Sequence, residues 1–111
     1  MRSIPRKLIY RHPRFRVDLP IVLHDGEGRA ISGRCSELSS EGAGLRLREM
    51  PFTGDPVRIE ISLGDCLVSV PARLVYQRDG NVFGLRFLPS SADEREEIAR
   101  LVATVQHHPF V

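Results

Sequence analysis

From Phe15 to Leu88 apolar and polar residues alternate with a period of two, the spacing that sends successive side chains to opposite faces of a β-strand. Val17, Leu19, Ile21 and Leu23 share one face of the first such run, against Asp18, Pro20, Val22 and His24 on the other. Asp25-Gly26-Glu27-Gly28 supplies turn residues, and Ala30 to Cys35 reads as the returning strand of a hairpin. After Ser39-Ser40-Glu41-Gly42, the segment Ala43 to Arg48 alternates Leu45 and Leu47 with Arg46 and Arg48, until Pro51-Phe52-Thr53-Gly54-Asp55 breaks it. Val57, Ile59, Ile61 and Leu63 then point inward against Arg58, Glu60 and Ser62, before a turn at Gly64-Asp65. The partner strand runs from Cys66 to Gln77 with Val68, Val70, Ala72, Leu74 and Tyr76 on one face. Pro71 on its other face argues for an edge or bulged strand, because proline cannot donate to a ladder. Arg78 to Asn81 is a turn, and Val82 to Leu88 closes the series.

Period two stops at Ser91-Ala92-Asp93-Glu94, a Ser-x-x-Glu capping box that predicts a helix over about residues 91–106. Ile98, Leu101, Val102 and Val105 fall on one helical stripe, which should cover an open end or a seam of the sheet. Six short strands followed by one helix predict an all-β fold with a single C-terminal helix, a six-stranded antiparallel barrel whose closure removes exposed edges. Residues 1–14 have no periodicity, contain Pro5 and Pro13, and read as a flexible arm ahead of a domain spanning 15–106, with 107–111 as a tail.

Composition fits this picture: 111 residues, 41% hydrophobic and 27% charged, suit one ordinary globular domain. No apolar run approaches the ~20 residues that cross a bilayer, and the start lacks a signal peptide's apolar stretch, so a cytoplasmic protein without membrane insertion is expected. Charge changes the picture more. The net charge of +2 hides an asymmetry, since Arg2, Arg6, Lys7, Arg11, Arg14 and Arg16 are unopposed while the remainder of the chain holds ten arginines against fourteen acids. A basic arm on an acidic body implies an anionic partner for the arm.

Cys35 and Cys66 sit inside apolar strand patterns and read as buried, reduced thiols; neither they nor the adjacent His107 and His108 have metal-ligand spacing. No glycine-rich phosphate loop and no nucleophile-base signature is present, so neither an enzyme nor a bound cofactor or metal is expected.

Two segments carry the chemistry. Arg14-Phe15-Arg16-Val17-Asp18-Leu19-Pro20-Ile21 and Glu37-Leu38-Ser39-Ser40-Glu41-Gly42-Ala43-Gly44-Leu45 resemble the arginine motif and the Asp/Asn-x-Ser-x-x-Gly motif of the PilZ domain, a bacterial receptor module for cyclic di-GMP. The resemblance covers about Arg6 to Val105 and implies a PilZ-type barrel that binds the dinucleotide between arm and turn and signals to a protein effector. It implies Arg11 and Arg14 on phosphates or guanine faces, Glu37 on a base edge, Ser39 as a polar contact and Gly42 shaping the turn, with Tyr10 and Arg16 as further candidates. The residue types suit that ligand. Guanidinium is a planar, bidentate donor to phosphate that also stacks on a purine, and a carboxylate complements guanine's donor edge.

The match departs at two points. The first arginine of Arg-x-x-x-Arg falls at Tyr10, with Arg11 one residue late, and Glu37 stands where Asp or Asn is usual. A lost charge-assisted contact of ~1.5–3 kcal/mol weakens a ligand by about 10–100-fold without abolishing it. Two other readings remain open: a PilZ-like adaptor that no longer binds nucleotide, and a basic barrel that binds nucleic acid. The second is disfavoured by the scarcity of aromatic residues, because stacking normally carries such binding. Arg46, Arg48, Arg58, Arg73 and Arg86 read as outer-face charges, and Ser-x-x-Gly is also an ordinary turn.

Overall fold

The computed structural model describes residues 13–51, 57–78 and 80–107. Among them are the strands β1 (Phe15–His24), β2 (Ala30–Leu38), β3 (Gly42–Leu47), β4 (Val57–Leu63), β5 (Cys66–Arg78) and β6 (Val82–Phe87), followed by the helix α1 (Ala92–His107). The strands close into a barrel in the order β1-β2-β3-β6-β5-β4, and every neighbouring pair is antiparallel. The expected all-β barrel with a C-terminal helix is therefore the observed fold. Tyr10 and Arg11 of the basic arm lie outside the described residues.

Alternation explains the core directly. Leu19, Ile21 and Leu23 of β1, Val57, Ile59 and Ile61 of β4, and Val68, Val70 and Ala72 of β5 all point into the barrel and are buried. Ile31, Cys35 and Leu38 of β2, Leu45 and Leu47 of β3, and Phe83, Leu85 and Phe87 of β6 complete the filling. Burial of that apolar surface is what holds the closed sheet together. The β1–β2 turn is built on Asp25, whose buried carboxylate accepts the amides of Glu27 and Arg29, each at 2.9 Å, and Nε of Arg29 at 3.1 Å. A buried charge is tolerated there because its lone pairs are filled.

The helix starts as the capping box predicts, with a shift of one partner. Ser91 Oγ accepts the Glu94 amide at 3.1 Å, but the Glu94 carboxylate accepts the amide and hydroxyl of Ser90, at 2.7 and 2.9 Å, rather than reaching Ser91. Those two bonds, the amide first, hold its carboxyl below the usual range. Arg58 of β4 lies 3.5 Å from the same carboxylate and ties the helix start to the wall. Ile98, Leu101 and Val105 bury the predicted stripe as α1 packs on β5 and β1.

Three sequence expectations need correction. Pro71 is not on an edge strand: β5 pairs with β4 over Cys66–Ala72 and with β6 over Ala72–Arg78. The proline sits just past the last β6 pair, where its carbonyl accepts the Leu88 amide at 2.8 Å. Because a strand residue's N–H and C=O point to the same side, its missing donor faces the end of a ladder and costs nothing there. The bulge in β5 lies further on, between Leu74 and Tyr76, and it moves Tyr76 off the inward face, since one extra residue reverses the alternation. Cys66, at the tight β4–β5 turn, is exposed, whereas Cys35 is fully buried.

Burial pushes the Cys35 thiol up to about 12, which removes the reactive thiolate at neutral pH. A thiol reagent at pH 7.5 should therefore modify Cys66 alone in the native protein, and both cysteines after denaturation. Equal labelling rates for the two under native conditions would contradict the buried placement of Cys35.

Candidate functional site

The register of four ladders draws a line across the outer wall: Arg16 on β1, Glu37 on β2, Gly44 on β3, Gly84 on β6 and Tyr76 on β5. The two glycines face each other at the middle of that line and leave a strip of backbone without side chains. A cleft of about 170 Å³ opens along it, with Arg14, Glu37 and Ser39 at one side, Val75 and Tyr76 at the other, and Arg86 beside Gly42.

Each wall is positioned by a local irregularity. Register shifts interrupt β1 between Arg16 and Leu19, β2 between Cys35 and Glu37, and β5 between Leu74 and Tyr76. All three lie at or next to the cleft, where a bulge re-aims side chains that strict alternation would place elsewhere. On β5 the consequence is large: the Tyr76 ring comes to rest on Gly84, so close that a Cβ on Gly84 would meet three ring atoms at 2.1–2.7 Å. The Arg78 guanidinium lies 5.0 Å from the ring centroid, a cation–π distance.

The opposite wall is held by the turn between β2 and β3. Ser39 Oγ accepts the amides of Glu41 at 3.1 Å and Gly42 at 3.3 Å, and the Ser39 amide donates to the Gly42 carbonyl at 2.9 Å. The hydroxyl thus satisfies its own turn, the structural role open to any Ser-x-x-Gly sequence. Gly42 is required for a different reason from the one its motif suggests. Its φ is not positive; instead a Cβ there would stand 2.1 Å from the Leu85 carbonyl oxygen on β6. The glycine lets two backbones approach.

Arg14 donates from its guanidinium to Glu37 Oε1 across the mouth of the cleft. Their side chains are 33% and 42% exposed, so water screens the pair and the contact is worth little net stability. It can be exchanged for a stronger anion at small cost. Arg86 lines the cleft and sits directly opposite Arg73 across the β5–β6 ladder, which adds positive charge at one end, while Glu41 adds negative charge beside Ser39.

Four of the residues singled out in the sequence, Arg14, Glu37, Ser39 and Gly42, therefore meet in one cleft. Arg16 is exposed on the same wall next to Glu37 but does not line the cleft, and Tyr10 and Arg11 lie outside the described residues. Sequence reasoning missed Tyr76, Gly84 and Arg86 as parts of this site. Tyr76 was hidden by the bulge that breaks its alternation. Gly84 carried a signal, since glycine inside a strand marks a close approach of something to the backbone, here the Tyr76 ring. Among the described residues no group of three or more His, Cys, Asp or Glu side chains could hold a metal ion, and no helix is long and apolar enough to cross a membrane.

Comparison with known proteins places this geometry. A family model described as PilZ domain matches residues 9–104, in agreement with the resemblance read from the Arg14 and Glu37 segments. Putative cellulose synthases 2 and 3 of Komagataeibacter xylinus are each 31% identical over 94 residues, which span 81% of this chain but only 6% of theirs. Among solved structures, the PilZ domain of CeSA from a cellulose-synthesizing bacterium superposes with a TM-score of 0.73 at 20% identity, covering 86% of this chain and 99% of that one. The PilZ domain of YcgR from Escherichia coli, solved with c-di-GMP, gives 0.72 at 18% identity, covering 88% and 92%. At these identities the structural likeness establishes the fold.

Gly42→Ala and Gly84→Ala separate two kinds of crowding. The first sets a methyl against a carbonyl that cannot move without breaking the β3–β6 ladder, and should cost ~1–3 kcal/mol in denaturant unfolding. The second should displace only the Tyr76 ring, with a smaller loss of stability and a clear change in the Tyr76 aromatic NMR signals. Equal stability losses, or an unmoved ring, would contradict the close approaches described.

Proposed function

The chain belongs to the PilZ domain family, and on that footing we propose that it is a cytoplasmic receptor for cyclic di-GMP, a binding module rather than a catalyst. The observation that carries this reading is the convergence of Arg14, Glu37, Ser39 and Gly42 on one cleft, although they come from segments more than twenty residues apart. YcgR, the relative in fold solved with c-di-GMP, supports the same ligand.

The chemistry of the cleft suits a doubly charged guanine compound. Arg14 exchanges its screened contact with Glu37 for a phosphate, to which guanidinium offers two parallel donors. The freed Glu37 carboxylate then accepts from the donor edge of a guanine. Arg86 supplies further positive charge, and the part of the Tyr76 ring left exposed between Gly84 and Arg78 offers apolar surface against which a purine edge can pack. At about 170 Å³ the described walls enclose less than the ~300–1,000 Å³ of a typical small-molecule site. Arg11 and the basic segment before Pro13 supply the remaining cover in this reading. Binding then repositions that segment and alters the surface presented to a protein effector. The chain matches 6% of the length of the cellulose synthases, and their activity forms no part of the proposal.

One observation favours a second reading. Glu37 already neutralises Arg14, as it would in a PilZ-like adaptor that works by protein contact without nucleotide.

Calorimetric titration with cyclic di-GMP distinguishes the two. Saturable binding by the wild type, weakened about 10–100-fold by Arg14→Ala and by a smaller factor in Tyr76→Ala, is the expected result. No heat at high micromolar ligand would establish the adaptor reading, and binding indifferent to Arg14→Ala would remove the assigned site.

A further inference from the structure

Away from the glycine strip, the outer wall of β2 and β3 gathers three guanidinium groups. Arg34 and Arg46 stand directly opposite each other in the β2–β3 ladder, and Arg48, just past the end of β3 with its amide donating to the Ser32 carbonyl at 3.2 Å, lines the same cavity. Like charges directly opposite one another destabilise a sheet, and Asp18 offsets that cost on the Arg34 side alone. A cavity of about 570 Å³ lies between these arginines and is also lined by Ser32, Gly33 and Asn81. Gly33 contributes bare backbone to it, since a Cβ there would stand 2.3 Å from the Arg46 carbonyl oxygen.

Among the described residues no acidic side chain lines this cavity. Among the described residues one carboxylate reaches the cluster: Asp18 Oδ1 accepts Arg34 Nε at 2.8 Å, and the Asp18 carbonyl accepts a second guanidinium nitrogen at 3.2 Å. That pair is open to solvent, with side chains 52% and 76% exposed. Arg46 and Arg48 have no ion-pair partner among the described residues. The wall thus presents guanidinium donors with free capacity beside the outward apolar side chains of Pro20 and Val22.

We propose that this wall is a docking surface for an acidic segment of a partner protein, with Arg34, Arg46 and Arg48 each engaging a carboxylate of that segment. The proposal does not rest on nucleotide binding in the cleft. Three observations select the occupant. Charge complementarity requires an anion, and the planar fork of arginine matches a carboxylate in a bidentate manner. No aromatic side chain among the described residues lines the cavity, whereas single-stranded nucleic acid is normally held by stacking. The large exposed apolar side chains among the described residues, Met50, Leu67, Val75 and Tyr76, all lie outside it, so among those residues this wall offers no large apolar side chain to insert into a lipid surface.

The test uses the full chain and a fluorescein-labelled hexaglutamate peptide, read by anisotropy at about 0.15 M salt. Phosphatidylserine-containing vesicles and a single-stranded oligonucleotide serve as parallel probes. The expected result is saturable peptide binding that an Arg46→Glu/Arg48→Glu variant weakens by at least about tenfold, because two charge-assisted contacts are lost. The variant should have a thermal midpoint no lower than the wild type's, since Arg46→Glu sets an opposite charge across from Arg34, and should keep its response to cyclic di-GMP, whether binding or silence. Three results would overturn the proposal: no peptide binding by the wild type; binding unchanged in the variant, which assigns it to the basic N-terminal segment; or vesicles or oligonucleotide bound more tightly than peptide through the same two arginines.

Discussion

Where Gly44 faces Gly84 the barrel wall has no side chains, and the rest of the cleft is organised around that strip of backbone. A single Cβ on Gly84 would occupy the place of the Tyr76 ring. A Cβ on Gly44 would find ordinary contacts with Glu37, the nearest at 3.5 Å, so the packing of the fold does not itself demand a glycine there. Gly42 belongs to the opposite category, because its Cβ would collide with the backbone of β6. One short stretch of β3 thus contains a glycine that closes the barrel and another that keeps its surface bare.

Three bulges convert that bare strip into a site. A closed barrel with strict alternation has an outer surface whose composition is fixed residue by residue, and each inserted residue frees the wall locally from that rule. The shifts in β1, β2 and β5 surround the cleft on both sides. They bring Arg14 to Glu37 on one wall and set Tyr76 on Gly84 on the other. The energetics of the walls differ. The Ser39 turn is fixed by internal hydrogen bonds to backbone amides, whereas the Arg14–Glu37 contact is screened and exchangeable. The cleft thus sets a hydrogen-bonded corner beside a solvent-screened charge pair.

Much of the fold was legible because burial here follows period two almost without exception. Val57–Leu63 was read with the boundaries it has, and the helical stripe of Ile98, Leu101 and Val105 is buried as expected. The site was legible to the extent that its residues sit in short contiguous motifs: Arg14, Glu37, Ser39 and Gly42 could be picked out as chemistry-bearing types. Arg86 could not, because an arginine alternating with Leu85 and Phe87 looks the same whether its strand borders a cleft or open solvent. Cys66 was misplaced for a similar reason, since an apolar pattern continues into a turn whose exposure depends on where the hairpin ends.

By itself the sequence determined the strand series, the terminal helix, the inward face of nearly every strand and the two motifs, because all of these depend on spacing within a few residues. Only the tertiary structure decided which strands are neighbours, and β3 lies against β6 through a pairing about forty residues long in sequence. That pairing puts Gly44 opposite Gly84 and Gly42 beside Arg86, while the β5 bulge turns Tyr76 outward onto the same wall. Local alternation can say that a residue faces out. It takes the closure of the ladder to say what stands next to it.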